Sequence, residues 1–246
     1  MAQRLIRDFV ADLMRVLELP DPVVEFGAMQ VEADQDGDLR PLFAGRSYVG
    51  PDMRDGPGVD RVKDLRALSF ADGEVWTALC LDTLEHCEDP PAACRELRRV
   101  VADDGVCVIS SVMLFGIHGY PNDYFRFTPE GFRSLLAGFD SAWVAGIGNP
   151  GIPMQIVGVG ANGREVALSL DRLPSLHRAQ REWDEARNRI RVGPLLVPPG
   201  DLVRTVAEEV VRLTRERVAS PDAQPRSSTR RASRGTSACT SGRAFS

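Results

Sequence analysis

A short segment in the second half of the chain concentrates residue types that carry out acid–base chemistry and polar recognition. Residues 115–132, FGIHGYPNDYFRFTPEGF, place six such side chains within nine positions: His118, Tyr120, Asn122, Asp123, Tyr124 and Arg126. Histidine ionises near neutral pH, so His118 is the residue best suited to accept a proton from a substrate. The alternative is that His118 organises the loop or binds the substrate. Asp123 and Arg126 have two interpretations, because they either contact a substrate or form an ion pair that holds the loop.

The pattern also predicts four short apolar strands, and an acidic residue stands at or next to the end of three of them. The four segments are VVEFG (23–27), SYVGPD (47–52), VDRVKDL (59–65) and VWTALCLD (75–82). Ligands bind at the carboxyl ends of the strands in open parallel sheets, so Asp52, Asp64 and Asp82 are candidates for one binding site. The alternative for Asp52 and Asp64 is that each carboxylate only caps a turn or a helix.

The elements that position these residues alternate between strands and helices. DPPAACRELRRVV predicts a helix capped by Asp89, and VCVISSV predicts a fifth strand after a turn at residues 103–105. AWVAGIG (142–148) and MQIVGVGAN (154–162) are joined by a connection too short for a helical crossover, so they should pair antiparallel. The pattern predicts an α/β fold with a doubly wound, seven-stranded, mostly parallel sheet.

Helical and low-complexity segments flank this sheet. The apolar periodicity predicts helices over residues 3–19, 174–191 and 201–218. After residue 219 the chain is rich in Ser, Thr, Arg and Gly with little to bury, which is typical of disorder. The predicted organisation is a domain at 1–165, a helical extension at 166–218 and a disordered basic tail at 219–246.

Several of these motifs resemble class I S-adenosylmethionine-dependent methyltransferases, specifically the methyltransferase type 11-like domain. The segment DTLEHCEDPPAACRELRRVVADDGVCVIS carries the most specific part, an LEH motif followed by a DP-initiated helix and the fifth strand. VVEFG is similar to the family's first-strand motif, and YVGPDM is similar to its second-strand motif. The resemblance covers roughly residues 23–163 and implies the Rossmann-like fold of that family, with one reversed strand.

The resemblance also implies a cofactor, S-adenosyl-L-methionine, and a set of residues that bind it. Asp52 is expected at the ribose hydroxyls, Asp64 and Leu65 at the adenine, and Leu81 and Asp82 at the methionine part. The remaining residues expected to bind the cofactor are Glu25, Gly27, Gln30 and Met53. Residues expected to bind the acceptor are Tyr120, Asp123, Tyr124 and Arg126, with His118 as the general base. His86 is interpreted as structural.

The first loop departs from the family pattern, which has further glycines where this chain has Ala28, Met29 and Gln30. The cofactor has no phosphate, so a ring of free backbone N–H groups is not required. The predicted function is methyl transfer to oxygen or nitrogen of a small molecule or sugar-like group. The alternative is a catalytically inactive, methyltransferase-like partner protein. A nicotinamide dehydrogenase is not favoured, because neither GxGxxG of the sequence, at residues 146–151 and 158–163, leads from a strand directly into a predicted helix.

Composition limits the partners. The net charge of −5 gives no reason to expect nucleic acid or an anionic membrane. Five cysteines without CxxC spacing indicate reduced thiols rather than disulfides or a metal site, and no metal is expected. The amphipathic N-terminus lacks the apolar core of a signal peptide, so a cytoplasmic protein with a small-molecule acceptor is predicted. Oligomeric state is not predicted.

Overall fold

The structure is a computed structural model that describes residues 2–30, 38–119, 121–187, 190–192, 195–197 and 206–212. Contacts divide the chain into two units, Met1–Arg189 and Ile190–Ser246. In the described part of the chain, no helix combines the length and the apolar character needed to cross a bilayer.

The first unit is built on a six-stranded sheet. Its strands are β1 (Val23–Phe26), β2 (Tyr48–Val49), β5 (Val75–Leu81), β6 (Val101–Val112), β7 (Ser141–Asn149) and β8 (Ile152–Ala161), and a separate pair is formed by β3 (Pro51–Asp52) and β4 (Arg61–Val62). The order in the main sheet is β2–β1–β5–β6–β8–β7. Neighbouring strands are parallel from β2 to β6, and β8 pairs antiparallel with both β6 and β7. The mostly parallel α/β fold with one reversed strand is therefore confirmed.

The main sheet has six strands, not the predicted seven, because the predicted second strand is split at Gly50 and the predicted third strand pairs with the split-off part outside the main sheet. The N–H of Gly50 donates to the Asp60 carboxylate at 2.7 Å, and the N–H of Asp60 donates to the Gly50 carbonyl at 2.8 Å. Pro51, which follows, has no N–H for a ladder. Strand β3 therefore separates from the main sheet and pairs in parallel with β4, which is the predicted third strand shortened to two residues.

Two helical layers cover the sheet. On one face lie α2 (Pro90–Val100) and α3 (Pro129–Leu135), whose Leu97 and Phe132 belong to one core cluster. On the other face lie α1 (Ala2–Val16) and α4 (Pro174–Arg187), whose Phe9 and Leu176 belong to a second cluster. The buried run of β5 contributes alternate side chains to the two clusters, as a strand covered on both faces must.

Side-chain caps begin α2 and α3, and the cap at Asp89 confirms the predicted start of α2. The Asp89 side chain accepts a hydrogen bond from the N–H of Ala92 at 3.0 Å, and Pro90 occupies the first turn of α2. The Thr128 hydroxyl accepts one from the N–H of Gly131 at 3.0 Å at the start of α3. These caps satisfy N–H groups that have no partner within the helix.

The predicted turn at residues 103–105 is instead part of β6. The pairing of β5 with β6 shifts register between Val75 and Thr77, and Asp104 has a φ of 62°. The turn residues therefore form an irregularity of the bulge type inside one strand, which a local pattern of Asp, Asp and Gly does not distinguish from a turn.

The second unit contains a short antiparallel pair, β9 (Ile190–Val192) with β10 (Leu195–Val197), inside the segment predicted as a helical extension. Residues 206–212 are helical, within the helix predicted at 201–218. The tail predicted at 219–246 lies outside the described residues.

Candidate functional site

The carboxyl ends of the parallel strands surround a cavity of about 570 Å³. The cavity is closed by the loops after β1, β3, β4 and β5 and by the segment that follows β6. It is lined by all nine residues predicted to bind the cofactor: Glu25, Gly27, Gln30, Asp52, Met53, Asp64, Leu65, Leu81 and Asp82. His118 and Tyr124 line it as well. The placement of ligand residues at strand ends is that of open α/β sheets in general.

Gly27 is the point of closest approach between the loops after β1 and β5. Its φ is +83°, and a Cβ added there would lie 2.2 Å from the Thr83 Oγ1. Thr83 is held by a hydrogen bond from its hydroxyl to the Leu81 carbonyl at 2.8 Å. A side chain at position 27 would therefore clash and would also force a conformation that L residues rarely adopt.

The missing glycines of the first loop are replaced by glycines on the facing segment. A Cβ at Gly50 would lie 2.7 Å from the Ala28 Cβ, and a Cβ at Gly58 would lie 2.7 Å from the Ala28 carbonyl oxygen. Close approach of the two loops is thus retained although Ala28 stands where the family pattern has glycine.

Asp52 holds these loops together. One of its carboxylate oxygens accepts from the Met29 N–H at 3.2 Å, and the other accepts from the Arg54 N–H at 3.0 Å. Each carboxylate oxygen has two lone pairs, so these bonds leave acceptor capacity for ribose hydroxyls. The capping and ligand-binding interpretations are therefore compatible at this residue.

The Asp64 carboxylate accepts more hydrogen bonds than the Asp52 carboxylate does, and all of them come from Arg66. Its carboxylate accepts from the Arg66 backbone N–H at 2.9 Å and from the Arg66 guanidinium at 2.9 and 3.1 Å. These bonds to Arg66 hold the pKa of Asp64 below its usual range. A contact from Asp64 to adenine would share the carboxylate with Arg66.

Glu25 is a carboxyl group in an unfavourable electrostatic setting. It accepts a hydrogen bond from the Tyr48 hydroxyl, and burial raises its pKa to about 8, with the Asp38 carboxylate adding to the rise and Arg40 opposing it. Near neutral pH this group is largely protonated in the free protein.

Asp82 lies in a polar network at the end of β5. Its Oδ1 accepts from the Ser110 hydroxyl at 2.7 Å and from the Gln155 amide at 2.6 Å, and its backbone has a φ of 46°. Burial raises its pKa, while the bonds from Ser110 and Gln155 oppose the rise. Strands β5, β6 and β8 therefore fix this carboxylate jointly.

The segment after β6 is organised by Asp123. Its carboxylate accepts from the His118 N–H at 2.8 Å and forms a bidentate ion pair with Arg126, in which one distance is 2.6 Å. The Asp123 side chain is only 3% exposed, and the bond from Arg126 holds its pKa far below the usual range. Asp123 and Arg126 are not among the cavity-lining residues, and Tyr120 lies outside the described residues. The geometry favours the ion-pair interpretation, and substrate contact by Asp123 and Arg126 stays a prediction.

Glu85 and His86 also line the cavity. The sequence analysis interpreted His86 as structural and did not include either residue in the site. Glu85 is fully buried, and its Oε2 accepts from the Ser111 hydroxyl at 2.7 Å. Burial first, and the Asp82 carboxylate second, raise its pKa to about 8. The His86 ring stacks edge-to-face on His118 with ring centroids 4.8 Å apart.

Comparison with known proteins gives a family for this site. Residues 52–109 match the family model described as a methyltransferase domain. Residues 52–109 thus carry the sequence pattern of a methyltransferase domain of the kind that uses S-adenosylmethionine. No curated protein matches the sequence.

Solved structures of methyltransferases share the fold of this chain at low sequence identity. The Burkholderia thailandensis 1,6-didemethyltoxoflavin-N1-methyltransferase, with its substrate and S-adenosylhomocysteine bound, is 17% identical, with 66% of this chain and 79% of that chain covered and a TM-score of 0.51. A chain of the complex between the Haloferax volcanii Trm112 methyltransferase activator and a methyltransferase is 17% identical, covering 67% and 92%, with a TM-score of 0.47. A Thermotoga maritima S-adenosylmethionine-dependent methyltransferase is 20% identical, covering 65% and 91%, with a TM-score of 0.45.

The matched segment of the methyltransferase domain includes much of the cavity. It contains Asp52, Asp64, Asp82, Glu85 and His86, and S-adenosylmethionine is the cofactor that such a domain uses. His118 and Tyr124 lie beyond the matched residues, on the segment that covers the same cavity.

Proposed function

We propose that this domain transfers a methyl group from S-adenosylmethionine to an oxygen or nitrogen of a small-molecule or sugar-like acceptor. One observation carries the proposal: a single cavity is lined both by the nine expected cofactor residues and by His118 and Tyr124. Its volume of about 570 Å³ lies within the usual size of ligand cavities, roughly 300–1,000 Å³.

His118 is suited to remove the acceptor's proton. In the displacement, the acceptor atom bonds to the methyl carbon, the carbon–sulfur bond breaks, and its electron pair stays on sulfur. The His118 Nδ1 lies 3.1 Å from the Gly116 carbonyl oxygen and 3.2 Å from an Asp123 carboxylate oxygen. Because a carbonyl only accepts, Nδ1 carries the hydrogen, and Nε2 has the lone pair that a proton acceptor needs.

The entrance of the cavity offers apolar and aromatic surface to an acceptor. The exposed side chains of the segment after β6 include Leu114, Phe115, Ile117, Tyr124 and Phe125. Ile117 is 94% exposed, and Phe115 and Tyr124 line the cavity itself. These aromatic faces lie beside His118. They support a methyl acceptor that contains a ring, which would stack on them before the reaction.

The second candidate function is that of a non-catalytic partner protein. It is favoured by the first loop, whose N–H groups from Gly27 to Gln30 all donate to protein oxygens. Methyl-transfer measurements separate the two candidates, since a partner protein would produce no S-adenosylhomocysteine with any acceptor.

We also infer a cytoplasmic location and a small-molecule acceptor rather than a nucleic acid or a membrane. The described cysteines, Cys80, Cys87, Cys94 and Cys107, are free thiols, which suits a reducing compartment. The net charge of −5 supports an acceptor other than a polyanion.

The test is S-adenosylhomocysteine formation with paired acceptors that differ only in a hydroxyl or an amine on the same ring. We expect turnover with at least one member of a pair, and a loss of about 10²–10⁴-fold in His118→Asn because the proton acceptor is removed. His177→Asn, on the exposed surface of α4, serves as the control and should keep full activity. An active His118→Asn enzyme would contradict the role of His118, and no turnover with any pair would favour the partner protein.

A further inference from the structure

Three side chains that could ligate a metal converge at the acceptor side of the cavity. One ligating atom each from Glu85, His86 and His118 lies within 4.8 Å of those of the other two. The three come from two separate segments, the 3₁₀ turn Leu84–His86 after β5 and the loop after β6. Glu85 and His86 are neighbours in the sequence, and the fold brings His118 to them.

Both imidazole rings are oriented in the way that metal-ligating histidines usually are. The His86 Nδ1 lies 2.6 Å from the Asn122 carbonyl oxygen, and the His118 Nδ1 lies within 3.2 Å of the Gly116 carbonyl and the Asp123 carboxylate. These acceptors place the hydrogen on Nδ1 in each ring and leave the Nε2 lone pair for an ion. Asp123 is itself fixed by Arg126, so the outer partner of His118 is rigid.

Glu85 gives an independent indication of a ligand. The side chain is fully buried, one carboxylate oxygen accepts from the Ser111 hydroxyl, and the other oxygen, Oε1, is buried without a hydrogen-bond partner. A buried carboxylate oxygen without a partner costs free energy unless a cation or a donor satisfies it. A divalent ion held with His86 and His118 would satisfy it.

We infer that Glu85, His86 and His118 form a divalent transition-metal site that binds the oxygen of the methyl acceptor. Two histidines and one carboxylate are a known ligand set for Zn²⁺ and for Fe²⁺, and they leave coordination positions open for a substrate. This site rests on the proposed function for its role, because it specifies the acceptor as a hydroxyl compound rather than an amine.

The ion would replace a protein base in the chemistry. A hydroxyl oxygen bound to a divalent ion loses its proton to solvent more readily, and the resulting alkoxide or phenoxide attacks the methyl carbon as the carbon–sulfur bond breaks. In the metal-bound protein the Nε2 lone pair of His118 would hold the ion, whereas in the metal-free protein the same lone pair is available to accept the acceptor's proton.

The experiment is a Co²⁺ titration of the full chain after treatment with a chelator, monitored by the visible absorption of the ion. We expect one Co²⁺ per chain, displaced by Zn²⁺, and at least tenfold weaker binding in Glu85→Gln, His86→Asn and His118→Asn. His177→Asn removes the third histidine of the chain, on exposed α4, and should bind Co²⁺ like the unmodified protein.

The result that overturns the site is either no saturable Co²⁺ binding or binding that survives in both His86→Asn and His118→Asn. Loss of binding in His177→Asn would overturn it too, since the ion would then lie on the surface. Each variant is also titrated with S-adenosylmethionine, whose binding reports a folded cavity. Cofactor binding without Co²⁺ binding would sink the metal site alone, whereas Co²⁺ binding without cofactor binding would sink the proposed function alone.

Discussion

Glu25 is the residue whose ionisation should be most sensitive to the cofactor. Its pKa is raised to about 8, mainly by burial, so its carboxyl group is largely protonated in the free protein at neutral pH. S-adenosylmethionine carries a sulfonium and an ammonium group, and a cation bound nearby stabilises the ionised carboxylate. Cofactor binding should therefore release a proton from Glu25.

The predicted consequence is tighter cofactor binding as the pH rises from 6 to 7.5. The dissociation constant should fall by up to about tenfold per pH unit, because the carboxylate that favours binding becomes populated toward its pKa of about 8. The range stops at 7.5 because the amino group of the cofactor titrates at about pH 8. Calorimetry in buffers of different ionisation enthalpy measures the affinity and the proton release together.

Glu25→Gln is the control for this pH dependence. Glutamine keeps the shape and an acceptor for the Tyr48 hydroxyl but has no ionisable proton, so the affinity should become nearly independent of pH. An equally steep dependence in the variant, or a flat profile in the unmodified protein, would show that Glu25 does not face the cofactor's charge.

The sequence predicts which carboxylates reach the site but not what holds them. Asp52, Asp64 and Asp82 follow strands, and strand ends share one edge of a parallel sheet, so their meeting is predictable. The partners of Asp82, Ser110 and Gln155, lie 28 and 73 positions away, and no local pattern links them. The same applies to the contact of His86 with His118, which requires the loop after β6 to fold back over β5.

At the scale of elements, the joint between the loops after β1 and β5 is the tightest part of the site. Gly27→Ala should destabilise the protein by about 2–5 kcal/mol, because it adds a positive-φ penalty to a clash with Thr83. Urea unfolding measures this change in the free energy of unfolding.

The double variant Gly27→Ala with Thr83→Ala separates the two contributions. Removing the Thr83 hydroxyl and methyl relieves the clash at 2.2 and 2.6 Å but not the φ of +83°, so the pair should show a favourable coupling of about 1–3 kcal/mol. Strictly additive effects of the two substitutions would contradict the clash. The destabilisation would then come only from the positive φ at position 27.

The strongly patterned elements are predictable and the irregular ones are not. Strands β1 and β5, helix α2 with its Asp89 cap and the hairpin of β7 with β8 follow from apolar runs, capping residues and a short connection. The break at Gly50 and the irregularity at Asp104 depend instead on which partner strand each residue meets. Both features are determined by strand pairing between residues far apart in the sequence, which the hydrophobic periodicity of a single segment does not contain.

At the scale of the whole molecule, the contacts extend the first unit beyond the domain boundary predicted at residue 165. Helix α4 is tied to α1 by the Ser175 N–H, which donates to the Asp12 carboxylate at 2.7 Å. It is tied to β7 by Gln180, whose side chain bonds both the N–H and the carbonyl of Gly148 at 2.8 and 3.1 Å. An amphipathic pattern shows that a helix has a buried face but not which element covers that face.

The cavity depends on most of this first unit. Its lining includes Ile6 and Arg7 of α1, residues of the loops after β1, β3, β4 and β5, and the segment after β6. A cofactor that binds there would contact segments separated by more than a hundred residues, so its binding reports on the tertiary fold and not on a single motif.

The most direct test of this account is a calorimetric titration of the full chain with S-adenosylmethionine, with Asp52→Ala as the variant. We expect affinity of micromolar order in the unmodified protein and binding weaker by about 2–4 kcal/mol in Asp52→Ala, which removes a charged acceptor for the ribose hydroxyls. Asp55→Ala, at an exposed position three residues along, should bind like the unmodified protein. No detectable binding by the unmodified protein would contradict the methyltransferase account and leave the fold as a scaffold for a partner.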